Sequence, residues 1–197
     1  FGNSNDDPNF IYLHFRRGIF CTYFYRGEIY ARNNFHVGEV GHMVVNPNGE
    51  QCECGKKGCL QTSISQTWLI HKATLLYEAS SHTYLHALVT SKEDINLETI
   101  LAAYNLGDTA IIEMLRVAID SLAIMINNLT VTLDTYTIYI HSQLFNDSNL
   151  STLLLERIEH FDSGFNMNKN IKKIINPYSK QDGARSACAL GIEQTLM

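Results

Sequence analysis

The chain has 197 residues, 45% of them hydrophobic, and a formal charge of −5 from 15 basic and 20 acidic side chains. That apolar share can bury the core of one large domain, or of one and a half small ones, while the acidic balance without a basic stripe argues against this segment gripping a phosphate backbone itself. No apolar run approaches the ~18–20 residues of a membrane span, and the opening FGNSNDDPNFIY lacks the regions of a secretion signal, so a soluble, cytoplasmic protein without membrane partners is expected.

In chain order, Phe10–Phe15 and Gly18–Tyr25 are rich in β-branched and aromatic residues and predict adjacent antiparallel strands. Arg26-Gly27 reads as a turn, Glu28–Tyr30 as the start of a third strand, and Asn33-Asn34 as a loop. Met43–Val45 reads as a short strand ending at the turn Asn46-Pro47-Asn48-Gly49. Apolar spacing then predicts a helix over Ser65–Ala79, one over Asn96–Tyr104 with Asn96 as cap, and a long, nearly apolar one over Thr109–Leu129. Thr137–His141 predicts a buried strand, Asn149–Phe161 an amphipathic helix, Ile171–Ile175 a strand and Gly183–Leu196 a final small-residue helix. Strands alternating with helices indicate an α/β chain. The lack of an initiator Met and the opening in mid-phrase read as a fragment of a longer protein.

Three of the five cysteines, Cys52, Cys54 and Cys59, fall within eight positions, ten residues after His42. An odd count and tight clustering in a chain without a secretion signal point to metal binding rather than disulfides. One imidazole and three thiolates make a closed tetrahedral set of the structural zinc type. Thiolates disfavour magnesium and calcium, and the lack of an open position disfavours metal-hydroxide chemistry. Gly55 and Gly58 let the loop close on an ion, and Lys56 and Lys57 offset thiolate charge. The alternative, three free exposed thiols, would be an oxidation hazard. Cys21 and Cys188 stand alone in apolar stretches and read as buried small residues. His71, His82 and His86 have no evident partner and read as solvated, although His82 and His86 are spaced for one helical face.

The run Gly38-Glu39-Val40-Gly41-His42, then Asn46-Pro47-Asn48-Gly49, then Cys52-Glu53-Cys54-Gly55-Lys56-Lys57-Gly58-Cys59-Leu60 resembles the signature of the ROK family of repressors, open reading frames and kinases. Phe10–Tyr30 occupies the place of that family's phosphate-binding hairpin, and Gly183-Ala184-Arg185-Ser186-Ala187 resembles its closing helix. The resemblance implies that residues 1–197 are the C-terminal lobe of an actin-like ATPase (ribonuclease H-like) fold with a zinc-binding loop, the other lobe and any DNA-binding domain lying elsewhere. By motif position Glu39 and His42 would contact the hydroxyls of a bound hexose. An ionised carboxylate accepts from two hydroxyls, and a zinc-fixed imidazole presents its other nitrogen in a set direction.

Two departures shape the expected function. The family signature ends Cys-Leu-Glu, with a second sugar-binding carboxylate, but position 61 is Gln61, whose amide both accepts and donates. Family kinases carry a glycine-rich run in the hairpin, so that backbone N–H groups approach phosphate. Here Arg16-Arg17-Gly18-Ile19-Phe20-Cys21-Thr22 keeps only Gly18 and places Phe20 and Thr22 where phosphate would lie. His141 stands before Ser142-Gln143 where the family often has glycine, crowding another nucleotide-facing turn. Arg16-Arg17 read as solvated turn residues, since point charges do not replace a backbone cradle. The family's catalytic aspartate lies in an Asn-Asp-Ala-Asn-like motif that this chain does not contain, and Asp6-Asp7 read as a polar loop. No catalytic residue is therefore assigned. The expectation is the effector-binding and oligomerisation lobe of a NagC/XylR-type regulator of carbohydrate metabolism. It would form a dimer or tetramer, bind a sugar or sugar phosphate, and reach DNA only through a separate N-terminal domain. The alternative is a ROK sugar kinase with a divergent phosphate loop.

Overall fold

The strand β1 (Phe10–Phe15) alternates along FIYLHF, burying Ile11, Leu13 and Phe15 on one side. Together with β2 (Ile19–Tyr25) it forms a hairpin in which Leu13 faces Cys21 and His14 faces Phe20. A two-residue edge strand β3 (Glu28–Ile29) follows, and Tyr30 N–H donates to the Tyr23 carbonyl at 2.8 Å without extending the strand. The chain then leaves the sheet for more than a hundred residues before β4 (Thr137–His141) returns parallel to β1, with β5 (Lys172–Asn176) parallel to β4. The sheet order is β3-β2-β1-β4-β5. The computed structural model describes residues 7–15, 17–34, 36–162, 171–179 and 181; the expected helix Gly183–Leu196 and Cys188 lie outside them.

The helices follow their caps. Ser65 caps α2 (Gln66–Ala79) by accepting from Trp68 N–H, after the single turn α1 (Gln61–Ile64). A second short turn, α3 (Leu85–Leu88), precedes α4 (Leu97–Asn105). There Asn96 and Thr99 exchange hydrogen bonds in a capping box. Asp108 caps α5 (Thr109–Thr132), whose Ile111, Leu115, Ile119, Leu122, Met125 and Ile126 are all 0% exposed. Asp147 caps α6 (Ser148–Phe161), which packs on α5. Arg157 joins the two helices through Asp120 at 2.5 Å.

The core lies on one face of the sheet, where Ile11, Leu13, Ile138 and Ile140 join the buried side of α5 and α6. Strand register puts Phe10, Tyr12, His14, Phe24, Tyr139 and His141 on the opposite face, with Phe10 stacked on Phe24 at 4.2 Å. Cys21 is buried as expected, and burial pushes its thiol up to about 12. One expectation needs correction. Met43–Val45 is not a strand: only an isolated bridge, Val44 to Cys59, forms, because the cysteine loop does not supply a second extended run. His82 and His86 are both exposed, as expected of solvated histidines; His82 sits in the turn before α3, and His86 packs on the Tyr77 ring at 4.0 Å and contacts the Ser80 carbonyl. Among the described residues no helix is long and apolar enough to cross a membrane.

Candidate functional site

The motif turn is anchored to the hairpin. Cys21 N–H donates to the Gly38 carbonyl at 2.8 Å, and Val40 N–H to the same carbonyl at 2.7 Å. Gly38 has φ +102°, and a Cβ there would meet the Cys21 carbonyl oxygen at 2.2 Å. Only glycine lets β2 and the turn approach this closely. Glu39 is exposed at the start of the 3-10 turn Val40–His42, and Val40 and Gly41 are buried beneath it.

His42, Cys52, Cys54 and Cys59 converge, with their ligand atoms all within 4.8 Å of one another. His42 Nδ1 lies 3.5 Å from Cys52 Sγ, and Cys54 Sγ lies 3.5 Å from Cys59 Sγ. Those spacings suit a tetrahedral ion, for which zinc–sulfur bonds of about 2.3 Å place the sulfurs roughly 3.8 Å apart. The donor set therefore fits a metal of the zinc type, and His42 would bind through Nδ1 with Nε2 turned away. Burial first, then hydrogen bonds with Cys54 and Cys52, raise the Cys59 thiol to about 12. The Lys56 backbone N–H instead lowers that of Cys54. The Lys56 ammonium donates to the His42 carbonyl at 2.7 Å, placing a positive charge beside the thiols.

The loop closes by backbone contact: Gly58 N–H donates to Glu50 O, and Val45 N–H to Gly58 O. Gly58 has φ +70°, and an added Cβ would overlap the Asn46 carbonyl oxygen at 1.5 Å. Gly58→Ala is therefore expected to open the loop. Metal retained after gel filtration should fall well below that of the parent protein, while far-ultraviolet circular dichroism, dominated by the distant helices, stays unchanged.

Gln61 opens α1 nearly buried, at 9% exposure, and its Nε2 donates to Glu53 Oε1 at 2.6 Å. Glu53 was given no role by the sequence. A carboxylate eight positions before an amide is a readable pairing only once the cysteine loop is known to fold back on the helix. The structure thus brings the four expected ligands together as a group that could hold a metal ion, and sets the Gln61 amide oxygen against Gly41.

The hairpin shows a second pairing that the sequence did not reveal. His14 and His141, register partners on parallel strands, stack at 5.2 Å with their Nδ1 atoms 3.1 Å apart. Tyr178 lies 5.4 Å from the His141 ring. A cavity of about 430 Å³ opens nearby, lined in part by Phe15, Gln66, Glu98, Ser142, Gln143 and Tyr178. Glu39 and His42 do not line it. Arg17 is exposed in the hairpin turn, as expected of a solvated residue. Asp7, which the sequence left as loop, accepts from the Thr137 hydroxyl at 2.7 Å and serves the sheet end.

The chain is 30% identical over 116 residues to the DNA-binding transcriptional dual regulator NagC of Escherichia coli K12, a match covering 59% of this chain and 27% of that protein. Its fold superposes on a ROK family transcriptional regulator, a homologue of the E. coli MLC protein, with a TM-score of 0.78 at 21% identity, covering 92% of this chain and 45% of that one. A ROK family glucokinase from Streptomyces griseus, solved with glucose and AMPPNP, gives 0.77 at 18% identity, covering 93% and 60%. The chain thus spans about a quarter of the curated regulator and less than two thirds of either solved protein. The ROK family model matches residues 1–194, and the chain belongs to the ROK family.

Proposed function

We propose that this chain is the effector-binding and oligomerisation lobe of a ROK transcriptional regulator of carbohydrate metabolism, without phosphoryl-transfer activity. The observation that carries the reading is the contrast between its two sites. The Glu39–His42 turn and its cysteine loop keep the signature as far as Leu60, with Gln61 in place of its closing glutamate, whereas the phosphate hairpin is filled by side chains, with His14 against His141 and Phe20 beside them. A phosphate cradle needs bare backbone N–H groups, and imidazole and phenyl rings exclude it sterically. Likeness to the NagC regulator supports the same choice.

On this reading Glu39, Gln61 and the Nε2 side of His42 receive sugar hydroxyls. Zinc held by His42, Cys52, Cys54 and Cys59 would supply a structural clamp between the sugar turn and α1. Binding across the cleft shifts the relation between this lobe and a second one. In a dimer or tetramer that shift alters the spacing of DNA-binding domains on two half-sites. The chain's own acidity agrees with DNA contact being made elsewhere, and the protein works in the cytoplasm.

Isothermal titration of the full-length protein with N-acetyl-D-glucosamine, D-glucose and D-xylose tests the reading. One of them is expected to bind, and Glu39→Ala to weaken it about tenfold or more with metal content unchanged, since each lost charged hydrogen bond removes roughly 1.5–3 kcal/mol. The kinase reading draws on the likeness to the S. griseus glucokinase. Sustained ATP turnover dependent on one of these sugars would establish it and overturn the regulator.

A further inference from the structure

Gln61 is nine-tenths buried, and its amide has two chemically unlike ends. Its Nε2 donates to Glu53 Oε1 at 2.6 Å. A carboxylate only accepts, so this contact decides which end of the amide faces which way. Oε1 is thereby turned to the other side, where a methyl built on Gly41 would sit 3.3 Å from it and one on Gly18 3.7 Å. Gly41 lies between Glu39 and His42, so that oxygen looks onto the turn carrying the proposed sugar contacts.

We infer that Glu53 is a positioning residue that locks Gln61 with its oxygen toward a bound sugar. An unheld amide can present either a donor or an acceptor, because its two orientations are nearly isosteric. Held by Glu53, it presents only the acceptor. Position 61 then meets a donating sugar hydroxyl with the same polarity as the carboxylate found there in the family signature. The negative charge moves to Glu53, which is exposed and solvated. A glutamate at 61 beside Glu53 would place two carboxylates at hydrogen-bond distance, so the residues at 53 and 61 operate as a unit. This inference rests on the effector reading above and identifies how the site selects a hydroxyl donor.

The test is a swap, read by isothermal titration of the full-length protein with N-acetyl-D-glucosamine, D-glucose and D-xylose, alongside metal content. Glu53→Ala is expected to weaken the sugar that binds the parent about tenfold, with metal content unchanged. Gln61→Glu alone should weaken it similarly. The double variant E53Q/Q61E restores one donor and one acceptor with the acceptor still at position 61, and should recover affinity to within about threefold of the parent. Metal content separates the two roles: mere support of the loop would lower it in both single variants, whereas positioning leaves it unchanged. Should Glu53→Ala lose metal, the near-isosteric Glu53→Gln decides instead, and is expected to weaken binding because an amide pair admits both orientations. Parental affinity in the single variants, or no recovery in the double, overturns the inference while leaving the effector reading intact. If none of the three sugars binds the parent protein, both fall together.

Discussion

Replacing Cys59 by serine is expected to strip the metal and lower the melting temperature by about 8–16 °C. Cys59 is 0% exposed, bridges to Val44, and stands between the loop and α1. The segment from His42 to Cys59 has little else to hold it: among the described residues its ladder contacts are the Val44–Cys59 and Gln51–Lys57 bridges, and most of its residues are exposed. With so little apolar burial, the loop's order must come from cross-linking. Structural zinc sites contribute roughly 10–16 kcal/mol of binding free energy in isolated finger peptides. Here most of the core folds without the loop, so we expect a loss of about 4 kcal/mol, which at about 2–4 °C per kcal/mol for a chain of this size gives the stated shift. Thermal denaturation with metal analysis checks it. A parental melting temperature in a metal-free variant would show the four donors to be incidental to stability. The same chemistry sets a pH dependence. Burial holds the Cys59 thiol at about 12 without metal, so binding must expel protons, and apparent affinity should rise at least about tenfold from pH 6 to pH 7. Competition with a chromophoric chelator measures it directly.

Asp108→Ala should cost about 3 kcal/mol, or roughly 6–12 °C, although the residue lies far in sequence from the metal loop. Asp108 is 4% exposed and caps α5, accepting from Ala110 N–H at 3.0 Å and Ile111 N–H at 3.1 Å. Its other oxygen accepts from the Thr83 hydroxyl at 2.5 Å and Tyr84 N–H at 2.8 Å, pinning the start of α3 to the central helix. Losing the cap costs about 1 kcal/mol, and stranding the buried Thr83 hydroxyl costs about 1–3 more. Burial alone would raise the Asp108 pKa, but the hydrogen bonds from Thr83, Ile111, Tyr84 and Ala110 outweigh it and hold the carboxyl below its ordinary value. A depressed folded pKa means that the unfolded chain takes up the proton first as pH falls. The contribution is therefore complete above the unfolded value of about 3.9 and fades as pH drops through the lower folded value. Asp108→Asn keeps one acceptor but presents an amide NH₂ to Tyr84 N–H. It should be destabilised at pH 7, with its gap to the parent narrowing below about pH 4. Urea denaturation across that range reads the gap, and a constant difference would remove the carboxylate charge from the account.

Local chemistry made much of this molecule readable in advance. Phe10–Phe15 and Thr137–His141 form as strands with the expected bounds, since β-branched and aromatic runs between turn residues leave few alternatives. Asn96 caps α4 as its side chain predicts, and the long apolar helix runs three residues past Leu129, to Thr132, before the backbone turns extended at Leu133. That His42, Cys52, Cys54 and Cys59 would come together was legible because ligand chemistry restricts which residues can cluster at such spacing. Met43–Val45 was misread because a strand needs a partner, and the partner available is a loop bent around its cysteines.

What the sequence determined by itself is the set of local commitments: caps, strand segments, the donor set of the loop and the family signature. Tertiary structure alone decided which distant residues meet. The pairing of His14 with His141 spans 127 positions and depends on β4 docking parallel to β1 in one register. The grip of Glu53 on Gln61 depends on the cysteine loop folding back onto α1. Long-range register is set by the burial of a whole sheet face against α5 and α6, a cooperative property that no short window of residues carries.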